Sequence, residues 1–182
     1  LKTLDMTRLI MTKKYPDKDI VDKERYIDTE NQWDPLSKVG LDKKGVVLQK
    51  LLDTDAGRIK EMDESHIDVM ILSLVSPGVQ IFNNSDGIML ASESNDILAE
   101  VIEKNPARFA GLAAIAPQNP EEAARELERA ITKLGLKGAI INSHIHGEYL
   151  DEKKFWVILE AAESLGVPIY LHPRSPSGAM IK

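Results

Sequence analysis

Gly138-Ala139-Ile140-Ile141-Asn142 and Val167-Pro168-Ile169-Tyr170-Leu171 are two short apolar runs, and Asp151 to Leu165 between them reads as a helix closed by Gly166. A strand, a long helix and a second strand within roughly 30 residues make a βαβ unit. Neither run alternates apolar with polar residues. Near-continuous apolar strands belong to a parallel sheet whose faces are covered by other elements.

Working outward, the same grammar repeats. Ile67 to Val75 is an apolar, β-compatible run that ends in the turn-forming Ser76-Pro77-Gly78. Asp86 to Lys104 follows as a helical pattern stopped by Asn105-Pro106. Arg108 to Ile115 is the next strand. Asn119-Pro120-Glu121-Glu122 then opens a helix, with Asn as N-cap, Pro in the first turn and acids beside the positive end of the dipole. That helix runs to Leu134 and stops at Gly135, with Glu121 and Arg125 spaced for an i,i+4 ion pair. The first 52 residues differ: they are highly charged, carry turn-like Tyr15-Pro16-Asp17 and Trp33-Asp34-Pro35, and contain no clean strand. They read as an irregular segment covering a pocket, or as a poorly ordered tail. Residues 53–182 are the βα units, beginning with a helical stretch from Asp53 to Ser65. The fold class is α/β, of the (β/α)8 barrel type. A closed barrel takes about 250 residues, so four units and an irregular start amount to half to two thirds of one.

Composition narrows the function. Of the 182 residues, 43% are hydrophobic, enough for a real core, and the net charge is -6 with both signs interspersed. No basic patch offers itself to nucleic acid, and no apolar run reaches the roughly 20 residues of a membrane span. The amino terminus does not read as a signal peptide, and the expectation is a soluble cytoplasmic protein. With no cysteine there is no disulfide, no zinc-thiolate site and no thiol nucleophile. A Gly-rich phosphate loop and the Gly-x-Ser-x-Gly elbow are absent as well.

The polar residues that remain are sorted by strand end. Ser76 and Gln80, then Pro117-Gln118, then Asn142, Ser143 and His144, then His172 and Arg174 all follow strands, at the carboxyl edge where such barrels keep their active sites. His66 precedes its strand and reads as structural. His172 is either a metal ligand or acid/base group, or a satisfied core histidine. Arg174 could grip a carboxylate with two hydrogen bonds, or be a surface arginine in a loop. His144 and His146 would point the same way on a strand, but Gly147 follows at once. Pocket lining or surface is the better reading for that pair. Asn142 could donate into a pocket or simply form a turn.

Taken together, Ser76-Pro77-Gly78-Val79-Gln80, Arg108-Phe109-Ala110-Gly111-Leu112-Ala113-Ala114, Gly138 to His144, Tyr149-Leu150-Asp151 and Ile169-Tyr170-Leu171-His172-Pro173 resemble the amidohydrolase-related decarboxylases. The likeness is greatest to the aromatic-acid members, the 5-carboxyvanillate and dihydroxybenzoate decarboxylases, which sit beside aminocarboxymuconate semialdehyde decarboxylase. It covers roughly residues 45–182. The resemblance implies a (β/α)8 barrel, one divalent metal ion (Zn or Mn), a small carboxylic acid substrate of hydroxybenzoate-like or enoic type, and non-oxidative loss of CO2 in aromatic compound catabolism. It also implies a homodimer or tetramer. His172 matches the family's strand-five ligand, while Ser76, Gln80, Asn142, His144 and Arg174 fall at pocket positions. No Glu-x-His stands near the amino terminus, where Leu4-Asp5-Met6 is a poor substitute. The family's later histidine and aspartate would lie beyond Lys182, so the catalytic residues are expected there and the chain reads as a partial barrel. Two other readings stand beside this one: a metal-dependent lactone or amide hydrolase of the same superfamily, and an inactive barrel piece acting only in protein interaction.

Overall fold

A computed structural model of the chain describes residues 50, 53–74, 78–174 and 176. Two compact units divide at Asp68/Val69. In the first, helix α1 occupies Ala56–Glu64 and stops in a turn built from its own backbone. The Ile67 amide donates to Met62 O (2.8 Å) and the His66 amide to Asp63 O (3.2 Å), with His66 in the left-handed region at φ 56°. This is a Schellman stop with histidine where glycine is usual. It also shortens the strand expected from Ile67, because Ile67 is used to end the helix.

The second unit contains, in order, β1 (Met70–Leu72), α2 (Asn84–Lys104), β2 (Phe109–Gly111), β3 (Ala113–Ala114) and α3 (Pro120–Thr132). These are followed by β4 (Ala139–Asn142), β5 (His144–Ile145), β6 (Glu148–Tyr149), α4 (Trp156–Leu165) and β7 (Ile169–His172). The caps explain the helix limits. Asn83 accepts from the Asp86 amide (2.9 Å) and donates to the Asp86 carboxylate (3.0 Å), so α2 starts two residues before the expected Asp86. Asn119 caps α3 as expected, with Pro120 in the first turn. Arg125 pairs with Glu122, one turn before it, where the sequence suggested Glu121. The last helix is preceded by a 3-10 turn, Lys153–Phe155, so it begins at Trp156 and not at Asp151. Gly166, at φ 64°, ends it in the conformation that glycine adopts at no steric cost.

All pairings among β1, β2, β3, β4 and β7 are parallel. β1 pairs with β2, β3 with β4, and β4 with β7. β2 and β3 are two parts of one extended segment interrupted at Leu112, whose amide donates to Leu72 O (2.9 Å). On its other edge the Lys137 amide donates to Gly111 O, and the Ala113 amide to Gly138 O, each at 2.8 Å. The strands therefore lie side by side in chain order. Right-handed crossovers in that order put every helix on the same face of the sheet. That is the wall of a barrel; a doubly wound sheet reverses its order partway.

Side chains alternate across the wall accordingly. Ala113, Ile115, Ala139 and Ile141 pack with Leu98, Leu127, Ala130, Phe155, Ile158 and Ala162 in the helix-side core. The opposite face carries Ile71, Ala114, Ile140, Asn142, Tyr170 and His172 by the same alternation.

Candidate functional site

The site is built from the carboxyl ends of β4 and β7. Asn142 and His172 are register partners, the last pair of that ladder. Register partners on parallel strands put their side chains on the same face, at strand spacings of about 4.8 Å. Two residues thirty positions apart in sequence are thus neighbours on the interior face. The ladder continues one step further, since the Ser143 amide donates to His172 O (2.9 Å) and the Arg174 amide to Ser143 Oγ (3.1 Å). Asn142 is buried. His172 is partly exposed, but its Nδ1 is buried and has no hydrogen-bond partner among the described residues. An unsatisfied buried polar atom costs about 1–3 kcal/mol. It fits the lone pair of a metal ligand held ready.

Gln80 is placed at the edge of this arrangement, with its amide committed to the backbone. Its Oε1 accepts from the Asn142 amide (3.0 Å) and its Nε2 donates to Ile140 O (3.4 Å). One side chain thereby supplies the two bonds that a neighbouring strand would give β4 at this point. Gln80, Val79, Leu74, Ala114, Ile140 and Asn142 line a cavity of about 10 Å³, room for one water molecule. Ser76, the other pocket residue expected in this loop, lies outside the described residues, as does Leu4-Asp5-Met6.

His144 and His146 do not share a face. His144 opens the antiparallel hairpin β5–β6, in which Ile145 pairs with Glu148 across a two-residue turn. His146 (φ 51°) and Gly147 (φ 88°) form that turn, both at positive φ as a type I′ turn requires. His146 is exposed, whereas His144 is buried, 5.5 Å from the Tyr149 ring, and its Nδ1 accepts from the Gly147 amide (3.3 Å). The hairpin was not anticipated from the sequence; its signal was the His-Gly pair between two short β-compatible dipeptides. Arg174 is half-buried, two residues past His172.

A second glutamine, Gln118, which the strand-end pattern had placed at this edge, and a buried asparagine that sequence reasoning did not single out hold the edge together. Gln118 Nε2 donates to Val79 O (3.0 Å) and Phe82 O (3.2 Å). Asn95, on the apolar stripe of α2 with Ala91, Leu98 and Val101, brackets Ala114: it accepts from the Ala114 amide and donates to Ala114 O, both at 2.8 Å. Its Nδ2 also meets Glu126 Oε1 (2.7 Å). Glu126 takes two bonds from the Arg129 guanidinium (2.8 and 2.9 Å), which reaches Asp96 at 2.7 Å. These contacts, the Glu126 hydrogen bond first, push the Arg129 pKa above its ordinary value. The visible signal was a polar residue on an otherwise apolar helix face.

Among the described residues no three His, Asp or Glu side chains come together as a metal-binding group. His172 fits as one ligand. No helix among those residues is long and apolar enough to cross a membrane.

Comparison with known proteins places this geometry. The family model described as Amidohydrolase matches residues 27–180. A gamma-resorcylate decarboxylase of Polaromonas sp. (strain JS666) is 43% identical over 134 residues, covering 70% of this chain and 41% of that protein. A 2-amino-3-carboxymuconate-6-semialdehyde decarboxylase of Dictyostelium discoideum is 36% identical, covering 64% of this chain and 33% of that protein. Among solved structures, a 5-carboxyvanillate decarboxylase of Novosphingobium aromaticivorans with bound manganese and 3-methoxy-4-hydroxy-5-nitrobenzoic acid superposes with a TM-score of 0.74 at 37% identity. That match covers 91% of this chain and 50% of the other. The chain spans less than half the length of the curated relatives it matches. With the chain-ordered parallel strands, these matches make the fold α/β of the (β/α)8 barrel type, as the strand spacing suggested.

Proposed function

We propose that this chain, which belongs to the amidohydrolase family, carries part of the site of a metal-dependent decarboxylase acting on a small aromatic, hydroxybenzoate-like carboxylic acid. The observation that carries the reading is the buried Nδ1 of His172, unpartnered among the described residues, beside Asn142 at the carboxyl ends of adjacent strands. The decarboxylase names of the relatives, and the manganese and nitrobenzoic acid bound by the solved neighbour, support the same chemistry.

A divalent metal, Mn or Zn, would supply Lewis-acid polarisation and a template for the substrate's oxygens, with His172 as one of its ligands. The chain's own residues do the rest of the positioning. Asn142 offers an amide beside that ligand, and Arg174 offers a guanidinium that matches a carboxylate by two hydrogen bonds. His144 is assigned to the polar lining, a role the family resemblance also implies for Ser76, and Gln80 holds the wall. Non-oxidative decarboxylation then requires a proton delivered to the ring carbon that bears the carboxylate. The C–C bond breaks, its electron pair is taken up at that carbon, and CO2 leaves. None of the described residues is assigned to delivering this proton. Residues 1–52 are assigned to covering the pocket, residues 53–182 to the barrel wall, and the protein to the cytoplasm as a homodimer or tetramer.

The test is product analysis on the protein as its gene encodes it, supplied with manganese and a panel of hydroxybenzoates. Stoichiometric CO2 and the decarboxylated phenol are expected. Hydrolysis of a lactone or amide without CO2 would overturn the reading. His172→Ala is expected to lose both bound metal and turnover, and an unchanged metal content would remove the central assignment.

A further inference from the structure

In the loop that follows β1, residues 79–82 are held from two sides by amide side chains. From inside the loop, Gln80 reaches β4 and bonds Ile140 O and the Asn142 amide. From outside, Gln118, just past β3, reaches into the loop and bonds Val79 O and Phe82 O. Three of these residues are buried: Val79 is 1% exposed, Phe82 4% and Gln80 5%. Gly87 in the first turns of α2 leaves the passage through which Gln118 runs. A Cβ at Gly87 would stand 2.2 Å from Gln118 Nε2 and 3.2 Å from Val79 O. We propose that Gln80 and Gln118 are positioning residues, a two-glutamine clamp that fixes the loop after β1 against β4 and so sets where the pocket wall stands beside Asn142 and His172. Neither acts on the substrate directly. For the substrate affected, the inference rests on the decarboxylase reading; for the clamp itself, it rests on four hydrogen bonds.

The two halves are coupled through the loop, which gives the clamp a signature that ordinary packing lacks. Gln118 touches Val79 and Phe82, not Asn142, yet releasing it must loosen the Asn142 amide by freeing Gln80. Gly87→Ala displaces the Gln118 amide without changing Gln118, and it raises helix propensity at the same time. A defect in that variant therefore does not come from a weaker helix.

The experiment compares wild type, Gln118→Leu, Gln80→Leu and Gly87→Ala by hydrogen exchange, residue by residue, and by steady-state kinetics on the preferred hydroxybenzoate with manganese present. Each variant is expected to exchange the Asn142 amide about tenfold faster, the scale of one or two lost neutral hydrogen bonds. The Ala114 amide, held separately by Asn95, serves as an internal control and stays unchanged. KM is expected to rise about tenfold while kcat changes less than threefold and bound manganese is unaffected. Unchanged Asn142 exchange in Gln118→Leu and Gly87→Ala would overturn the clamp, as would faster exchange with KM unchanged. If wild type releases no CO2, the decarboxylase reading fails by itself, and the exchange comparison alone upholds or overturns the clamp.

Discussion

Replacing Asn95 by alanine tests the reasoning about the sheet edge more severely than any core truncation. Asn95 is 1% exposed, and its amide bonds both backbone groups of Ala114 and Glu126 Oε1 at 2.7–2.8 Å. β1 ends at Leu72, opposite Gly111, so among the described residues no strand reaches Ala114 on this side and the asparagine stands in for one. Truncation leaves a buried N–H and a buried C=O unpaired, at about 1–3 kcal/mol each. Alanine returns about 0.5 kcal/mol as the better helix former. Glu126 keeps its two bonds to Arg129, so no charge is orphaned. The expected net loss is about 2–5 kcal/mol, read as a lowered urea midpoint at constant m-value. Asn95→Asp sharpens the test. It preserves an acceptor for the Ala114 amide but sets a carboxylate against Ala114 O and Glu126, so at neutral pH it should be less stable than Asn95→Ala. A loss under about 1 kcal/mol for alanine, or an aspartate variant more stable than the alanine one, would refute the argument that the donor and acceptor of the amide are both needed.

Two further substitutions probe separate elements. His66→Gly relieves a left-handed residue in the Schellman stop of α1 and should stabilise the protein by about 0.5–1 kcal/mol, seen as a higher melting temperature. A neutral or lower melting temperature would mean that the imidazole makes a contact worth more than the strain. Leu127→Ala removes a fully buried side chain between α3 and the sheet and should cost about 2–5 kcal/mol in urea unfolding, with a cost under 1 kcal/mol ruling out a closely packed core there.

Much of the fold was legible because its signals are local. Asn119 caps its helix with a side chain that reaches three residues ahead, and Gly166 stops α4 by its own backbone freedom, whereas the equally local cap at Asn83 was passed over for a start at Asp86. The parallel wall followed from apolar runs at βα spacing. Boundaries were less legible where two elements compete for the same residues. Ile67 is β-compatible, yet its amide closes the α1 turn. Asp151 precedes a helical pattern, yet its carbonyl accepts from Trp156 Nε1 (3.2 Å) and the chain makes a 3-10 turn first. The β5–β6 hairpin was hidden because each arm is only two residues long, too short for an alternation to show.

At the candidate site, the sequence by itself determined which residue types stand at strand ends: His172 and Asn142 after apolar runs, Arg174 just beyond, and no cysteine to compete for a metal. Their residue identities and local order need no long-range information. Only the tertiary structure decided which of them meet. The Asn142–His172 pairing is a matter of strand register, and the commitment of Gln80 to β4 joins residues 60 and 62 positions apart. It also separated His144 from His146, through a turn whose geometry depends on both arms of a hairpin. Hydrogen-bond partners at such distances are chosen by the packing of helices on one face of a sheet, which is a property of the whole wall and is written in no single stretch of the chain.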